Sequence, residues 1–314
     1  MTTQATPDHN EGLLLPGLDG TNPLGFLAAL GVLRVIDASN DPGQIRLRWT
    51  SANGTWVPAL MGSGLDEVSL PQLLMDKLSR TIDEHPVRIL NDLAVDDPKP
   101  RFDLFQQHTE DACANGRTEA DWLAALASDI IPSSAINQLQ TTRRDYFYGN
   151  LTSVIKRTRT DHLRRAIFFP WDYADPLDNQ SLHLEPSEDR RHAHQWSKPA
   201  GDPDRKTSGG MLGANRLAIE AFALFTSLPS GDALRTIGFT GQRSYNTRWT
   251  WPIWNVPLSL SVVWSLMMLP ELQYEDVTFD ACERIRHRGI VAAFRTSRIL
   301  VGKTPNFTPA QRIA

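Results

Sequence analysis

Two clusters of basic side chains have the composition of a nucleic-acid contact. The first lies in residues 141–165, TTRRDYFYGNLTSVIKRTRTDHLRR, which carry seven basic and two acidic side chains. Arginines can bind phosphates and tyrosines can stack on bases, and each stacked base contributes about 1–3 kcal/mol. We therefore predict nucleic-acid contacts by Arg143, Arg144, Tyr146, Tyr148, Lys156, Arg157, Arg159, Arg164 and Arg165. The alternative is that the aromatic triplet lies in the core.

The second basic cluster lies in residues 281–314, which carry seven basic side chains and one acidic side chain. Residues 1–140 carry nine basic and 19 acidic side chains, and the formal net charge of the whole chain is −4. Such charge asymmetry indicates an anionic partner. The predicted phosphate contacts of this cluster are Arg286, Arg288, Arg295 and Arg298. The alternative is that these arginines pair with the acidic remainder of the surface.

Histidines and carboxylates are concentrated in the Pro- and Asp-rich residues 166–207. His192 and His194 form an H-x-H pair, which can place both imidazoles on one face of a strand, and a nearby carboxylate could complete a site for Mn²⁺, Fe or Zn²⁺. The sequence contains no H-E-x-x-H box, H-D doublet or D-E-x-H box. We predict no metal and no cofactor, and His192 and His194 are the candidate ligands if a metal is bound. The segment is expected to be a long irregular loop.

A glycine-rich stretch precedes the helix predicted at residues 211–228. Ser208, Gly209 and Gly210 could cradle an anion with backbone N–H groups at a helix N-terminus, or they could simply begin the helix. The lysine and hydroxyl of a P-loop are missing here, and Gly302-Lys303-Thr304 lacks the upstream glycine. The sequence therefore gives no support for ATP hydrolysis, and we assign no catalytic residue.

The element expected to organise the chain is a helix within residues 15–36, LPGLDGTNPLGFLAALGVLRVI. Asn22 can cap its first free N–H groups, and Pro23 suits the first helical position. The residues from Leu24 onward are apolar almost all round, which predicts a buried helix, and small residues such as Gly31 allow close approach of a neighbour. Arg34 is its only charge, in the last turn, where a cation complements the helix dipole.

The string GLDGTNPLGFLAALGVLRVI resembles the N-terminus of proteins encoded with type I-G (formerly I-U) CRISPR systems. In the effector large subunit of those systems a similar PL-x-x-x-L-x-A-L-G-V-L-R segment opens the chain, and a shorter family there is described as an extension of the CRISPR nuclease-helicase. WDYADP (171–176), SEDRRHAHQW (187–196) and SGGMLGANRLAIEAF (208–222) are similar to later blocks of the same group. The resemblance implies RNA-guided defence against foreign DNA, with guide RNA or target DNA and effector subunits or the nuclease-helicase as partners.

Periodicity predicts an α+β fold, mainly helical with short antiparallel strands and hairpins and a long irregular central loop. Residues 44–57 read as a β-hairpin turning at Asn53-Gly54, and residues 236–254 as strands. Further helices are predicted at residues 68–82, 87–93, 102–114, 118–129 with Thr118 as cap, 258–269 and 280–294. The candidate division is 1–132, a helix-hairpin-helix region, and 133–314, a basic and aromatic region followed by helices; the alternative is one continuous domain.

Three tryptophans, Trp249, Trp251 and Trp254, fall within six residues. At alternate spacing they are expected to brace a sheet, or to form an exposed interaction patch.

The composition, with 41% hydrophobic and 22% charged residues, is that of a soluble globular protein. No apolar run approaches the ~20 residues of a membrane span, so no membrane partner is expected. The first twelve residues are polar and do not form a signal peptide. Two cysteines fit a reducing compartment, and the expected location is the cytoplasm.

Three functional hypotheses follow. The first is a non-catalytic component or accessory of a type I-G CRISPR interference system that contacts nucleic-acid backbone and partner subunits. The second is a metal-dependent nuclease or hydrolase. The third is a protein-docking module that uses the tryptophan patch and touches no nucleic acid.

Overall fold

The computed structural model of this chain describes residues 12–38, 40–41, 43–129, 137–141, 144–176, 182–185, 210–230, 233–241, 246–301 and 304–314. These residues form an α+β fold, mainly helical with short antiparallel strands, as the sequence predicts. One hydrophobic cluster extends from Leu15 to Phe307 and takes side chains from both sides of residue 132. Within the described ranges, every helix is too short or too polar to cross a bilayer.

Helix α1, Pro23–Asp37, lies in the core. The side chain of Asn22 accepts hydrogen bonds from the N–H groups of Leu24 (2.9 Å) and Gly25 (3.4 Å), and Pro23 takes the first helical position. Every residue from Pro23 to Ile36 is buried. The predicted cap and the predicted burial are both confirmed.

A three-stranded sheet contacts α1 through Trp49. Its strands are β1 (Leu13–Leu14), β2 (Arg46–Ala52) and β3 (Thr55–Met61), in the order β1-β3-β2 and antiparallel. Asn53 and Gly54 connect β2 to β3 with φ of 50° and 83°, the left-handed backbone of a two-residue hairpin turn. Trp49 of β2 stacks on Phe26 of α1 with a ring separation of 5.8 Å. The predicted hairpin is confirmed.

A helical layer follows the hairpin. Its elements are α2 (Ser69–Lys77), a 3-10 helix (Pro86–Arg88), α3 (Ile89–Asp92), α4 (Pro98–Asn115), α5 (Arg117–Leu126), α6 (Arg144–Arg157), α7 (Thr160–Phe168), α8 (Leu212–Ala221) and a second 3-10 helix (Phe222–Leu224). Helix α4 begins four residues before its predicted start because Asp97 accepts the N–H of Lys99 and Pro98 fits the first position. Thr118 is not the cap of α5, since Gly116, with φ of 93°, takes that place.

Only part of the predicted central loop lies in the described residues. Its first residues, 166–168, belong to α7. Residues 169–176 and 182–185 form no helix or strand, apart from an isolated bridge between Asp175 and Gly210.

The C-terminal part contains most of the strands. They are β4 (Ser227–Ser230), β5 (Ala233–Thr236), β6 (Phe239–Thr240), β7 (Arg248–Trp254), β8 (Ile290–Val301), β9 (Thr304–Phe307) and β10 (Gln311–Arg312), with α9 (Leu260–Met267), α10 (Pro270–Gln273) and α11 (Phe279–Arg286) between β7 and β8. Strands β4 and β5 form a hairpin, while the larger sheet has the order β10-β8-β7-β6, and β9 pairs with β8.

Two predicted helices are followed by a strand that begins before their expected ends. The helix predicted at 280–294 ends at Arg286, and the chain turns at Gly289, with φ of 80°, into the β-branched start of β8. The helix predicted at 211–228 also ends early, and Ser227 begins β4. In both places the pairing of a strand outweighs an apolar pattern that suits a helix equally well.

The tryptophans of β7 hold the two larger sheets together. Trp249, Trp251 and Trp254 are all fully buried. The indole N–H of Trp254 donates to the carbonyl of Leu47 in β2 (2.7 Å), and that of Trp251 donates to the carbonyl of Gly20 (2.8 Å). The sheet-bracing interpretation is confirmed, and the exposed docking patch is wrong because the rings lie in the core.

Candidate nucleic-acid interface and charged pocket

Helix α6 carries the first basic cluster and is amphipathic. Its inner face buries Phe147, Leu151 and Val154 in the hydrophobic cluster. Phe147 stacks on Phe222 of the second 3-10 helix with a ring separation of 5.8 Å and an interplanar angle of 22°. This packing fixes the helix and determines which of its side chains face solvent. Tyr148 is half-buried and packs against the same cluster.

The solvent face of α6 presents an aromatic ring at one end and cations at the other. Tyr146 is 62% exposed, Gly149 is exposed, Ser153 is half-buried, and Lys156 and Arg157 are exposed. The positions 146, 149, 153 and 157 repeat at three- and four-residue intervals, so they share one side of the helix. Along the axis they span about 16 Å. We call these five residues the α6 face.

Arg159 completes the C-terminal end of α6. Its Nη1 donates to the carbonyls of Lys156 (2.8 Å) and Thr158 (2.7 Å), and its own N–H donates to Nδ1 of His162 (3.0 Å) in α7. Cations near a helix C-terminus are stabilised by the helix dipole. Arg159 therefore lies beside the basic end of the α6 face, held by backbone carbonyls.

The two predicted arginines of α7 pair with acidic side chains. Arg164 contacts Glu67 (2.6 Å). Arg165 bridges Asp172 (2.5 Å) and Asp175 (2.7 Å), and its hydrogen bond holds the pKa of Asp172 below its usual range. Asp175 also accepts the N–H of Leu212 (2.7 Å) at the start of α8. Arg165 thus links α7 to α8 through a carboxylate.

The second basic cluster is organised around β8 and α11. Arg286 pairs with Glu283 (2.7 Å), and Arg288 pairs with Glu271 (3.1 Å). Arg295 donates to Thr250 Oγ1 and to the carbonyls of Leu272, Tyr274 and Glu275. Each of these arginines has a protein partner, so a phosphate contact here would compete with an existing interaction.

Arg298 of β8 is turned toward the protein interior. It donates to the carbonyls of Gln138 and Gln140, and burial lowers the pKa of its guanidinium to about 10. The structure therefore separates Arg298 from the exposed cations of the same cluster.

Several predicted site residues lie outside the described part of the chain. These are Arg143, His192, His194, Ser208 and Gly209. Arg144 is the first residue of α6. Gly210 exchanges both backbone hydrogen bonds with Asp175, and its N–H donates to that carbonyl at 2.7 Å. Among the residues that the structure describes, no group of three or more His, Cys, Asp or Glu side chains could hold a metal ion.

Sequence reasoning did not predict a buried ionic cluster between α1 and α8. Glu220 Oε1 accepts from Arg216 Nη1 (2.7 Å) and from His85 Nε2 (3.0 Å), and Oε2 accepts from Arg34 Nη1 (3.2 Å). All four side chains are at least nine-tenths buried. The guanidinium of Arg34 also lies 5.2 Å from the ring centre of Trp122 in α5.

The hydrogen bonds assign the protonation states of this cluster. Nδ1 of His85 accepts the N–H of Val87 (3.2 Å), so in the neutral ring the proton is on Nε2, facing Glu220. Burial lowers the pKa of His85 and outweighs the attraction of Glu220. Burial alone would raise the pKa of Glu220, but Arg216, His85 and Arg34 together hold it far below its usual range. The cluster is therefore an ionised glutamate with two arginines and a neutral histidine.

A pocket of about 500 Å³ opens onto this cluster. Its lining residues are Arg34, Val35, Ala38, Lys77, Leu78, Arg80, His85, Pro86, Thr118, Glu119, Trp122, Arg216 and Glu220. At the mouth, Arg80 is 53% exposed and pairs with Glu119 of α5 (3.2 Å), and Lys77 is exposed. We call this the charged pocket.

No family model matches the chain, and no curated protein matches it either.

Proposed function

We propose that this protein is a non-catalytic component of a type I-G CRISPR interference system and that it contacts nucleic-acid backbone through the α6 face. The observation that carries the proposal is the arrangement of Tyr146, Gly149, Ser153, Lys156 and Arg157 on one solvent-facing side of a helix whose other side is fixed in the core.

The chemistry of the α6 face suits a single strand. Lys156 and Arg157 can each neutralise a phosphate, and the ring of Tyr146 offers a stacking surface for a base at the opposite end. Gly149 leaves the middle of the helix without a side chain, and nothing lies within 4 Å of the position that a Cβ would take there. A strand lying along the helix would thus meet little steric obstruction.

The setting rests on the resemblance of residues 17–36 to the N-terminus of type I-G proteins. Most of that segment is α1, which is buried, so the similarity concerns residues that maintain the fold. In RNA-guided complexes base pairing reads the sequence, and protein side chains hold backbones. A helix that binds phosphates would hold a nucleic-acid backbone in this way, and that role requires no catalytic residue. Effector subunits or the nuclease-helicase are the proposed protein partners.

The test is binding of labelled single-stranded RNA, single-stranded DNA and duplex DNA across a salt series. The double variant Lys156→Glu/Arg157→Glu is expected to weaken binding and to reduce the slope of log K against log salt by roughly 1.4–1.8, because each of the two lost phosphate contacts contributes about 0.7–0.9. The matched control is Arg46→Glu/Lys99→Glu, which makes the same charge change at two exposed cations of β2 and α4.

The control separates local contacts from net charge. The proposal requires the control variant to keep most of its affinity and its salt slope. Equal losses in both double variants would mean that only overall charge matters, and unchanged binding by the α6 variant would remove the α6 face as the contact.

A further inference from the structure

We propose that the charged pocket binds a terminal phosphate group, carried by a mononucleotide or by the 5′ end of a nucleic-acid strand. The pocket lies at the junction of five elements: α1, the end of α2, the 3-10 helix Pro86–Arg88, the first turn of α5, and α8. The proposal does not depend on the α6 face, because no residue of α6 lines the pocket.

The charge of the lining favours an anion. Four cationic side chains, Arg34, Lys77, Arg80 and Arg216, face two carboxylates, Glu119 and Glu220. With His85 neutral, two positive charges are in excess. A phosphate monoester carries about −1.5 to −2 at pH 7, so one such group would neutralise the pocket.

Neighbouring acids do not supply the missing charge. Asp121 attracts Arg34 from outside the pocket, but it also pairs with Arg117 at 3.8 Å. Glu119 is engaged by Arg80. Two buried arginines therefore share one buried glutamate, and a buried cation without a matching anion is costly. A bound phosphate would reduce that cost.

Hydrogen-bond donors are present at both the floor and the mouth. Nε of Arg216 is buried and has no hydrogen-bond partner among the described residues, although Nη1 is used by Glu220. Lys77 and Arg80 stand at the mouth, where a side chain can move to meet a ligand. The hydroxyl of Thr118 adds a neutral donor.

The size and the walls allow more than a bare ion. A volume of about 500 Å³ lies within the usual range for small-molecule sites. Val35, Ala38, Pro86 and Trp122 provide apolar lining beside the charged floor. A nucleoside attached to the phosphate would find apolar surface there.

The experiment is isothermal titration of the full chain at constant ionic strength. The probes are inorganic phosphate, adenosine 5′-monophosphate with adenosine as its blank, and a short single-stranded RNA with either a 5′-phosphate or a 5′-hydroxyl. The variants are Lys77→Ala/Arg80→Ala and, as a matched control, Arg88→Ala, an exposed arginine close to His85 in sequence that does not line the pocket.

We expect the wild-type protein to bind phosphate-bearing probes and the double variant to bind them about tenfold or more weakly, since charge-assisted hydrogen bonds are lost. Arg88→Ala should bind inorganic phosphate as the wild type does. Tighter binding of the monophosphate than of inorganic phosphate would identify a nucleotide as the ligand, and a preference for the 5′-phosphorylated strand over the 5′-hydroxyl strand would identify a strand end.

Absence of phosphate binding by the wild type would overturn the proposal. Equal phosphate binding by the wild type and the double variant, with thermal unfolding showing both folded, would overturn it as well. The single variant Lys77→Ala, which leaves the contact of Arg80 with Glu119 in place, serves if the double variant does not fold.

Discussion

Oε1 of Glu220 lies 2.7 Å from Nη1 of Arg216, one turn earlier in α8, and both side chains are buried. The same carboxylate also accepts from Arg34, which is 186 residues away in the sequence, and from His85. One glutamate thus connects α1, α8 and the 3-10 helix at Pro86–Arg88.

Replacing Glu220 is expected to destabilise the folded protein strongly. Glu220→Gln keeps the shape but leaves Arg34 and Arg216 buried without an anion, and breaking a buried ionic pair in this way costs about 3–5 kcal/mol. The free energy of unfolding from urea denaturation measures the loss. The control is Glu67→Gln, whose pair with Arg164 is about half exposed and should cost less than about 1 kcal/mol. Similar losses in the two variants would mean that the buried cluster adds little.

The stability of the protein should fall in mild acid because of His85. Burial lowers the pKa of His85 from its ordinary value of 6.5, so below that pH the unfolded chain binds a proton that the folded chain does not. The free energy of unfolding then decreases by up to about 1.4 kcal/mol per pH unit as the pH falls below about 6.5. The pKa of Glu220 is also lowered on folding, so protonation of Glu220 decreases the free energy of unfolding as well. This second decrease begins only below about pH 4.5, the pKa of a glutamate in the unfolded chain.

The variant His85→Gln tests the assignment. A glutamine cannot take up the proton but can still donate to Glu220, so the decrease between pH 6.5 and 5 should be smaller than in the wild type. Urea denaturation at several pH values gives both curves. Parallel curves for the two proteins would show that other groups, and not His85, cause the acid sensitivity.

Replacing Gly31 or Gly149 by alanine should change the free energy of unfolding in opposite directions. A Cβ on Gly31 of α1 would lie 1.9 Å from the carbonyl oxygen of Leu217 in α8, so Gly31→Ala must push the helices apart and should destabilise by about 1–3 kcal/mol. A Cβ on Gly149 of α6 meets nothing within 4 Å, so Gly149→Ala should stabilise by about 0.5–1 kcal/mol through helix propensity. Thermal and urea unfolding measure both, and a neutral Gly31→Ala would disprove the close helix crossing.

Local features of the chain were predictable from the sequence. The start of α1 depends on Asn22 and Pro23, and the hairpin depends on Asn53 and Gly54, so each is determined by adjacent residues. The end of α11 was predicted wrongly because an apolar pattern continues past Gly289 into β8. Strand pairing across the sheet, which the local sequence does not reveal, decides that boundary.

The charged pocket was not predicted, because its members are distant in the sequence. Arg34 was interpreted through the helix dipole, yet it lies in a helix that is otherwise apolar and buried. A charge in such a place needs a partner, and this was the one signal that could have led to Glu220. Arg165 is a predicted phosphate contact that the fold instead pairs with acidic side chains. Its type and position suit a phosphate, while its contacts with Asp172 and Asp175 depend on how the chain folds after α7.

The exposed ring of Tyr146 should contribute to nucleic-acid binding by stacking rather than by charge. Tyr146→Ala is expected to weaken binding of single strands by about 1–3 kcal/mol and to leave the salt slope unchanged, because no phosphate contact is lost. Tyr146→Phe keeps the stacking surface and should retain most of the affinity. Tyr274→Ala, at a tyrosine that is 43% exposed between α10 and α11, is the matched control. If the alanine variants at 146 and 274 bind alike, the ring of Tyr146 does not stack on the bound strand. If the salt slope falls with Tyr146→Ala, the residue contributes to a phosphate contact and not to stacking alone.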